Sequence, residues 1–245
     1  WAAIGTVASF SLNAAILNVK LFRGIRGYGI GRPALSALKR IFRVAGPTFG
    51  EKALYHGGYL VFAGLIGRLG DSAMTAHQAL MAIESLGFIG SSAFGIAAAA
   101  LVAQKLGAEK SHLAVQAGHT SARLGIISLS VVGIFFFIFA PYLVGLFSND
   151  ESVIRLGSQC LRIAAVAQPL MAITDVYGGA LRGAGDTRTP LVAALVGPIL
   201  IRLFACWYLA FYCGYGLIGI WIGSTLDWAV RAAWLFAAFN RGAWR

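Results

Sequence analysis

Charge is what this sequence has least of. Only 12% of its 245 residues are Asp, Glu, Lys or Arg, about half the roughly 25% of an ordinary soluble domain. With 58% hydrophobic residues and a mean hydropathy of +0.76, it reads as a polytopic membrane protein. Acid is scarcer still, with 9 Asp and Glu against 20 Lys and Arg, a net charge of +11. Such a balance suits nucleic acid. The basic residues, however, sit in the gaps between apolar runs, which fits the positive-inside bias and contact with anionic lipid; no nucleic-acid partner is expected. The three cysteines, Cys160, Cys206 and Cys213, all lie in apolar segments. Their odd number and lack of metal spacing argue against a disulfide framework or a metal site and leave them as packing residues. No Ser/His/Asp order, HExxH or CxxC is present, so an enzyme is not expected. The chain also lacks an initiator Met and starts at Trp1 inside an apolar run, so a longer parent chain is expected.

Long apolar runs are what the sequence has in abundance. Seven occur, at roughly 1–19, 44–67, 73–104, 124–147, 153–181, 189–213 and 217–240. Each is near or above the ~20 residues that cross ~30 Å of hydrocarbon. Several are rich in Gly and Ala, as tightly packed membrane helices are. Hydrocarbon offers the backbone no hydrogen-bond partners, so the reading is an α-helical bundle.

The stretch from Ala167 to Pro190, AQPLMAITDVYGGALRGAGDTRTP, shows how two spans meet. Arg182 can bond the last carbonyls of one helix, and Gly183 or Gly185 can take the left-handed conformation that ends it. Asp186 or Thr187 can cap the next, with Pro190 in its first turn. The Gly-x-Gly here lacks the third glycine and preceding strand of a nucleotide fingerprint.

The gaps set the topology. Alternate gaps, starting with Lys20–Arg43, hold 14 of the 20 basic residues, and the others hold 2, Arg68 and Arg155. The first gap and the C-terminus are therefore expected on the cytoplasmic side. Within the first gap, Pro33–Val44 carries Leu35, Leu38, Ile41 and Phe42 on one side, the pattern of a short interfacial helix. Tyr142, Tyr208, Tyr212, Tyr215 and Trp221 fall near the outer interface, as belt aromatics. His112 and His119 lie in an extension before the fourth span and read as solvated.

Charges inside spans are functional candidates by default: Glu51, Lys52, Glu84, Arg162, Asp175, Arg202, Asp227 and Arg231, with His56 and His77 as further titratable groups. Glu51 lies one turn after Pro47 and shares a face with Tyr55. A carboxylate in low dielectric can bind a proton reversibly near neutral pH, so Glu51 is a coupling candidate, or else the partner of Lys52 or a loop arginine. Asp175, mid-span, is a cation or proton site or the partner of Arg202. Asp227 and Arg231, spaced i, i+4, suit an ion pair, and Arg202 needs Asp227, Asp175 or carbonyls. Tyr55, Gln78 and Glu84 are candidates to line a substrate cavity, with Gln78 also suited to interhelical hydrogen bonding.

Three stretches carry a resemblance: Ala45-Gly-Pro-Thr-Phe-Gly-Glu51; Leu69-Gly-Asp through Ala76-His-Gln, Ile83-Glu-Ser-Leu and Leu101-Val-Ala-Gln-Lys-Leu-Gly107; and Ala167-Gln-Pro through Leu181-Arg-Gly-Ala-Gly-Asp-Thr-Arg-Thr-Pro190, with Asp227 to Arg231 beyond. In this order and spacing the chain resembles the C-terminal half of a multidrug and toxic compound extrusion (MATE) transporter of the bacterial branch. The resemblance implies an all-α membrane protein, the six-helix C-terminal lobe of a twelve-helix transporter plus a partial preceding helix. It implies a partial helix over 1–21, a cytoplasmic inter-lobe linker over 22–45, the lobe over 46–240 and a tail over 241–245. It further implies a multi-pass plasma-membrane antiporter that exports amphipathic, mostly cationic small molecules in exchange for H+ or Na+. This would work by alternating access with an N-terminal lobe, with no cofactor and no metal. The chain departs from one branch of the family at Tyr55 and Met171, where that branch carries acids, so Glu51 and Asp175 are the nearby substitutes. Two alternatives stay open: a flippase of the same superfamily for lipid-linked substrates, and a membrane assembly subunit that does not transport.

The topology has a direct check. In a background lacking Cys160, Cys206 and Cys213, a single cysteine in the Lys20–Arg43 gap should resist an impermeant thiol reagent in intact cells. One placed at Asp150–Glu151 should react. The opposite pattern reverses the orientation.

Overall fold

The computed structural model describes residues 9, 11–18 and 57–244. The chain divides into two compact units, Trp1–Phe49 and Gly50–Arg245. In the first, residues 11–18 are helical. The expected interfacial helix over Pro33–Val44, and Glu51, Lys52, Tyr55 and His56, lie outside the described residues.

The described residues of the second unit form a bundle of six helices. These are α1 (Gly57–Gly67), α2 (Asp71–Gly107), α3 (Ser111–Gly145), α4 (Glu151–Gly183), α5 (Arg188–Tyr212) and α6 (Gly216–Arg241). No strand occurs among the described residues. Helices α2 to α5 are each long and apolar enough to cross a membrane. Helix α6, at 26 residues, matches them in reach, about 1.5 Å per residue, but carries charge at its centre. One difference from the apolar runs is instructive. Helix α3 begins at Ser111, well before the run at 124–147, because its first turns are polar and hydropathy does not register them. His119, expected in water, is half-buried there, 2.9 Å from the Tyr177 hydroxyl and edge-on to Phe239.

The turns follow from capping chemistry. Helix α4 starts at Asp150, whose carboxylate accepts the Ser152 N–H at 2.8 Å. Hydrogen bonds from Ser152 hold the Asp150 carboxyl below its usual range. At the other end, the Asp186 N–H reaches the Leu181 carbonyl at 2.9 Å and the Gly185 N–H reaches that of Arg182 at 3.0 Å. Gly185 itself sits at φ +91°. This pair of bonds around a left-handed glycine is a Schellman ending. Asp186 then accepts the Thr189 N–H at 3.0 Å and opens α5.

Packing rests on small residues where helices cross. On α2, Gly95 and Ala99 face Asp175, Gly179 and Gly183 of α4. A side chain on Gly179 would strike the Gly95 carbonyl, one on Gly183 the Ala99 carbonyl, and one on Gly95 would lie 2.7 Å from the Asp175 carbonyl oxygen. Four-residue spacing on both helices makes this a continuous seam of the kind that lets membrane helices approach closely. Helices α5 and α6 repeat the device: a Cβ on Gly223 would lie 2.7 Å from the Cys206 nitrogen, and one on Gly219 2.6 Å from the Leu209 carbonyl carbon.

Helix α5 is not a regular α-helix. Val196–Arg202 and Tyr208–Tyr212 wind as π-helix. Pro198 lies inside the first of these and offers no N–H. Wider turns of this kind recur at functional sites.

The seam predicts a sharp asymmetry between glycines. Gly179→Val should cost at least about 2 kcal/mol by overpacking, read as loss of monodisperse protein after detergent extraction. Gly64→Ala, with nothing within 4 Å of the added carbon, should extract and melt like the parent. Equal behaviour of the two variants would refute the seam.

Candidate functional site

The charged centre of the bundle is built on Asp227, which is fully buried in α6. Its carboxylate accepts from two arginines. Arg231, one turn on, donates Nε to Oδ1 and Nη2 to Oδ2, both at 2.9 Å. Arg202, at the end of the first π-helical stretch of α5, donates Nε at 3.0 Å and lies 2.8 Å away through Nη2, both to Oδ2. The local backbone makes this possible. A side chain on Gly197 would lie 2.5 Å from Arg231 Cδ and collide with Asp227 Oδ1. Both guanidiniums also lie against Trp228, at 3.9 Å for Arg231 and 5.8 Å for Arg202. Two cations and one anion leave the cluster with an excess positive charge.

A carboxylate able to balance that excess stands nearby. Glu84 of α2 and Arg202 line one cavity between α1, α2, α5 and α6, walled by Tyr59, Phe62, Trp221 and Trp228. Glu84 is buried, and among the described residues no hydrogen bond or ion pair reaches its carboxylate. His77 lies on the same face of α2, two turns before Glu84. It is buried between Phe62 and Trp221, each ring centroid 5.7 Å away. Among the described residues, neither His77 ring nitrogen nor the Trp221 Nε1 has a hydrogen-bond partner. The cavity is small, about 30 Å³. That is room for a water or a desolvated ion and far below the ~300 Å³ that a drug-sized ligand requires.

The other candidates are placed differently. Asp175 does not meet Arg202. It accepts the Ser91 hydroxyl at 2.6 Å and, with Arg182, lines a separate groove of about 190 Å³ along the α2–α4 seam. Gln78 is exposed, its amide 4.0 Å from the Met74 sulfur, and does not line the Glu84 cavity. Glu51 and Tyr55 lie outside the described residues. Trp221, expected in the outer belt with the tyrosines, is buried instead and walls the cavity, whereas Tyr142, Tyr208, Tyr212 and Tyr215 are exposed. Trp228 was not singled out by the sequence, although its place beside Asp227, three residues before Arg231, offered the signal.

The arrangement ranks three substitutions. Asp227→Asn strands one buried guanidinium, Arg231, and one half-buried, Arg202, and should cost about 3–5 kcal/mol. Arg231→Met and Arg202→Met each leave the carboxylate one arginine and should cost less. Thermal melts of the detergent-purified variants test the order. Asp227→Asn melting as high as Arg231→Met would overturn it.

Comparison with known proteins places the chain in a family. The MatE family model matches residues 47–208. A relative named "Probable multidrug resistance protein NorM", from Thermotoga maritima, is 28% identical over 99% of this chain and 53% of its own. The chain thus spans about half the length of the curated relatives it matches. Two solved structures share the fold. One is described as the outward-facing conformation of a multidrug resistance MATE family transporter of the MOP superfamily, with TM-score 0.71, 18% identity, and 83% of this chain and 46% of that one covered. The other is an inward-facing conformation of such a transporter, with TM-score 0.73, 19% identity, and 89% and 52% covered. With that pattern running from Pro47 through the arginine-bearing α5 to Tyr208, this multi-pass membrane chain belongs to the MatE family.

Proposed function

We propose that this chain is the C-terminal lobe of a secondary active antiporter. It exports amphipathic, mostly cationic small molecules in exchange for H+ or Na+, by alternating access against an N-terminal lobe. The observation that carries the reading is the pairing of a buried carboxylate, Glu84, which takes no hydrogen bond or ion pair among the described residues, with aromatic walls beside Arg202. Aromatic faces and a carboxylate attract cations, and a carboxylate in low dielectric exchanges its proton readily.

Charge balance supplies the coupling. With Glu84 ionised, it and Asp227 together neutralise Arg202 and Arg231. With Glu84 protonated, the same four side chains carry one net positive charge, which repels an organic cation. Proton and substrate thus compete for one site, which is what exchange requires. Glu51 and Asp175 are the other coupling candidates of this lobe. A described cavity of about 30 Å³ puts the bulk of a drug outside it, against the facing lobe. Likeness to both an outward-facing and an inward-facing transporter supports a lobe that moves as a body. The lipid-linked flippase reading gains nothing here, because Asp227 already takes donors from both arginines.

The test uses the complete transporter in proteoliposomes with an imposed gradient. Glu84→Gln should insert normally and lose gradient-driven efflux of a cationic dye by about a hundredfold or more, the lower end for a single acid–base group. Glu51→Gln and Asp175→Asn, measured alongside, rank the remaining acids. Wild-type efflux by all three variants at wild-type protein levels would place coupling outside this lobe.

A further inference from the structure

Arg162 of α4 stands apart from the charged centre. It is exposed on the outside of the described bundle. Its guanidinium sits 5.8 Å from the Phe137 ring of α3, and among the described residues no hydrogen-bond acceptor reaches it. The surface around it is apolar: Ile134, Phe137, Ile138 and Val166 are each more than half exposed. A guanidinium has five N–H donors, and hydrocarbon satisfies none of them. Measured from the Asp150 cap, Arg162 lies about 18 Å along the helix. That is past the headgroup layer but within reach of it for a long side chain that extends toward the interface.

An apolar groove of about 250 Å³ begins at the same level. It is lined by Gly133, Ile134 and Phe137 of α3 and by Ala165, Val166 and Pro169 of α4. Its floor exists because residue 133 is glycine: a Cβ there would lie 2.6 Å from the Ala165 carbonyl oxygen. The groove runs from Arg162 toward the middle of the helix and so toward the centre of a bilayer. On the other side of Arg162, the exposed face of α4 continues to Gln159 and Arg155. Glu151 is one turn from Arg155 and can balance it. Arg162 has no acid within helical reach.

We propose that the α3–α4 face binds an anionic phospholipid. The phosphodiester accepts hydrogen bonds from Arg162, with Gln159 and Arg155 toward the headgroup, and one acyl chain lies in the groove between Phe137 and Pro169. The cation sets the preference for anionic over zwitterionic lipid, and the groove sets the preference for a lipid over a soluble phosphate.

Native mass spectrometry of the complete transporter, released from nanodiscs of mixed phosphatidylglycerol and phosphatidylcholine, tests the site. The parent should retain phosphatidylglycerol through detergent washes that remove phosphatidylcholine. Arg162→Gln should lower that retention at least about tenfold, the scale of a lost charge-assisted contact. Val166→Trp, which fills the mouth of the groove and leaves every charge in place, should do the same. Both positions are exposed, and melting temperatures matching the parent confirm that the variants fold. Unchanged retention in Arg162→Gln overturns the proposal, as does equal retention of the two lipids by the parent. Displacement of the lipid by glycerol phosphate, which has no acyl chain, overturns the role of the groove.

Discussion

One carboxylate shared by two guanidiniums governs half of this bundle. In a membrane there is little hydrophobic drive to press one apolar helix against another, and α5 shows the consequence. Only 17% of its apolar span is buried, against 56% for α4. What fastens α5 to α6 is the bond from Arg202 to Asp227 and the close backbone approach at Gly219 and Gly223. The bond imposes its own demands. Asp227 must be sealed from water, Gly197 must have no side chain, and the π-helical stretch around Pro198 must deliver Arg202 to the carboxylate. A buried pair of this kind adds little net stability and strongly penalises the loss of one partner. It fixes register more than it adds strength.

The other half of the bundle is held differently. Helix α4 is central because glycine and alanine let α2 approach along it. The one polar link on that seam, Ser91 to Asp175, is a single hydrogen bond of 2.6 Å. Where α5 and α6 are pinned by charge, α2 and α4 are pinned by shape. The Glu84 cavity lies on the charge-pinned side, between α1, α2, α5 and α6. A change of charge on Glu84 therefore acts on Arg202, a residue that itself holds α5 in place.

Much of the fold was legible in advance because membrane helices declare themselves by apolar length. The described helices coincide with the runs, and the turn at Gly185-Asp186 is formed by the residues whose chemistry demanded it. The start of α3 was not legible, because hydropathy does not register a helix that continues beyond the apolar layer. Trp221 was misplaced for a related reason: an aromatic near a span end suits either the belt or the core, and only the neighbours of α6 decide. At the site, the i, i+4 spacing pointed to Asp227 and Arg231 as a pair, and composition gave Arg202 few possible partners. That Glu84 and not Gln78 faces Arg202 depends on how α2 is rotated against α5 and α6. Polar residues leave that stretch in more than one direction, His77 and Glu84 on one face and Gln78 on another, so the sequence carries no single signal for that rotation.

The placement of His77 follows the same logic one step further. It is two turns from Glu84 on one face of α2, and among the described residues neither of its ring nitrogens has a hydrogen-bond partner. Protonated, it would add a second positive charge beside Arg202, and among the described residues that line the cavity Glu84 is the acid available to balance it. His77, Glu84 and Arg202 thus share one cavity of about 30 Å³, so a change of charge on any of them acts directly on the other two. In the exchange we propose, the size of this cavity and the arginine pair, and not any property of the substrate, set how much charge the site takes up at once.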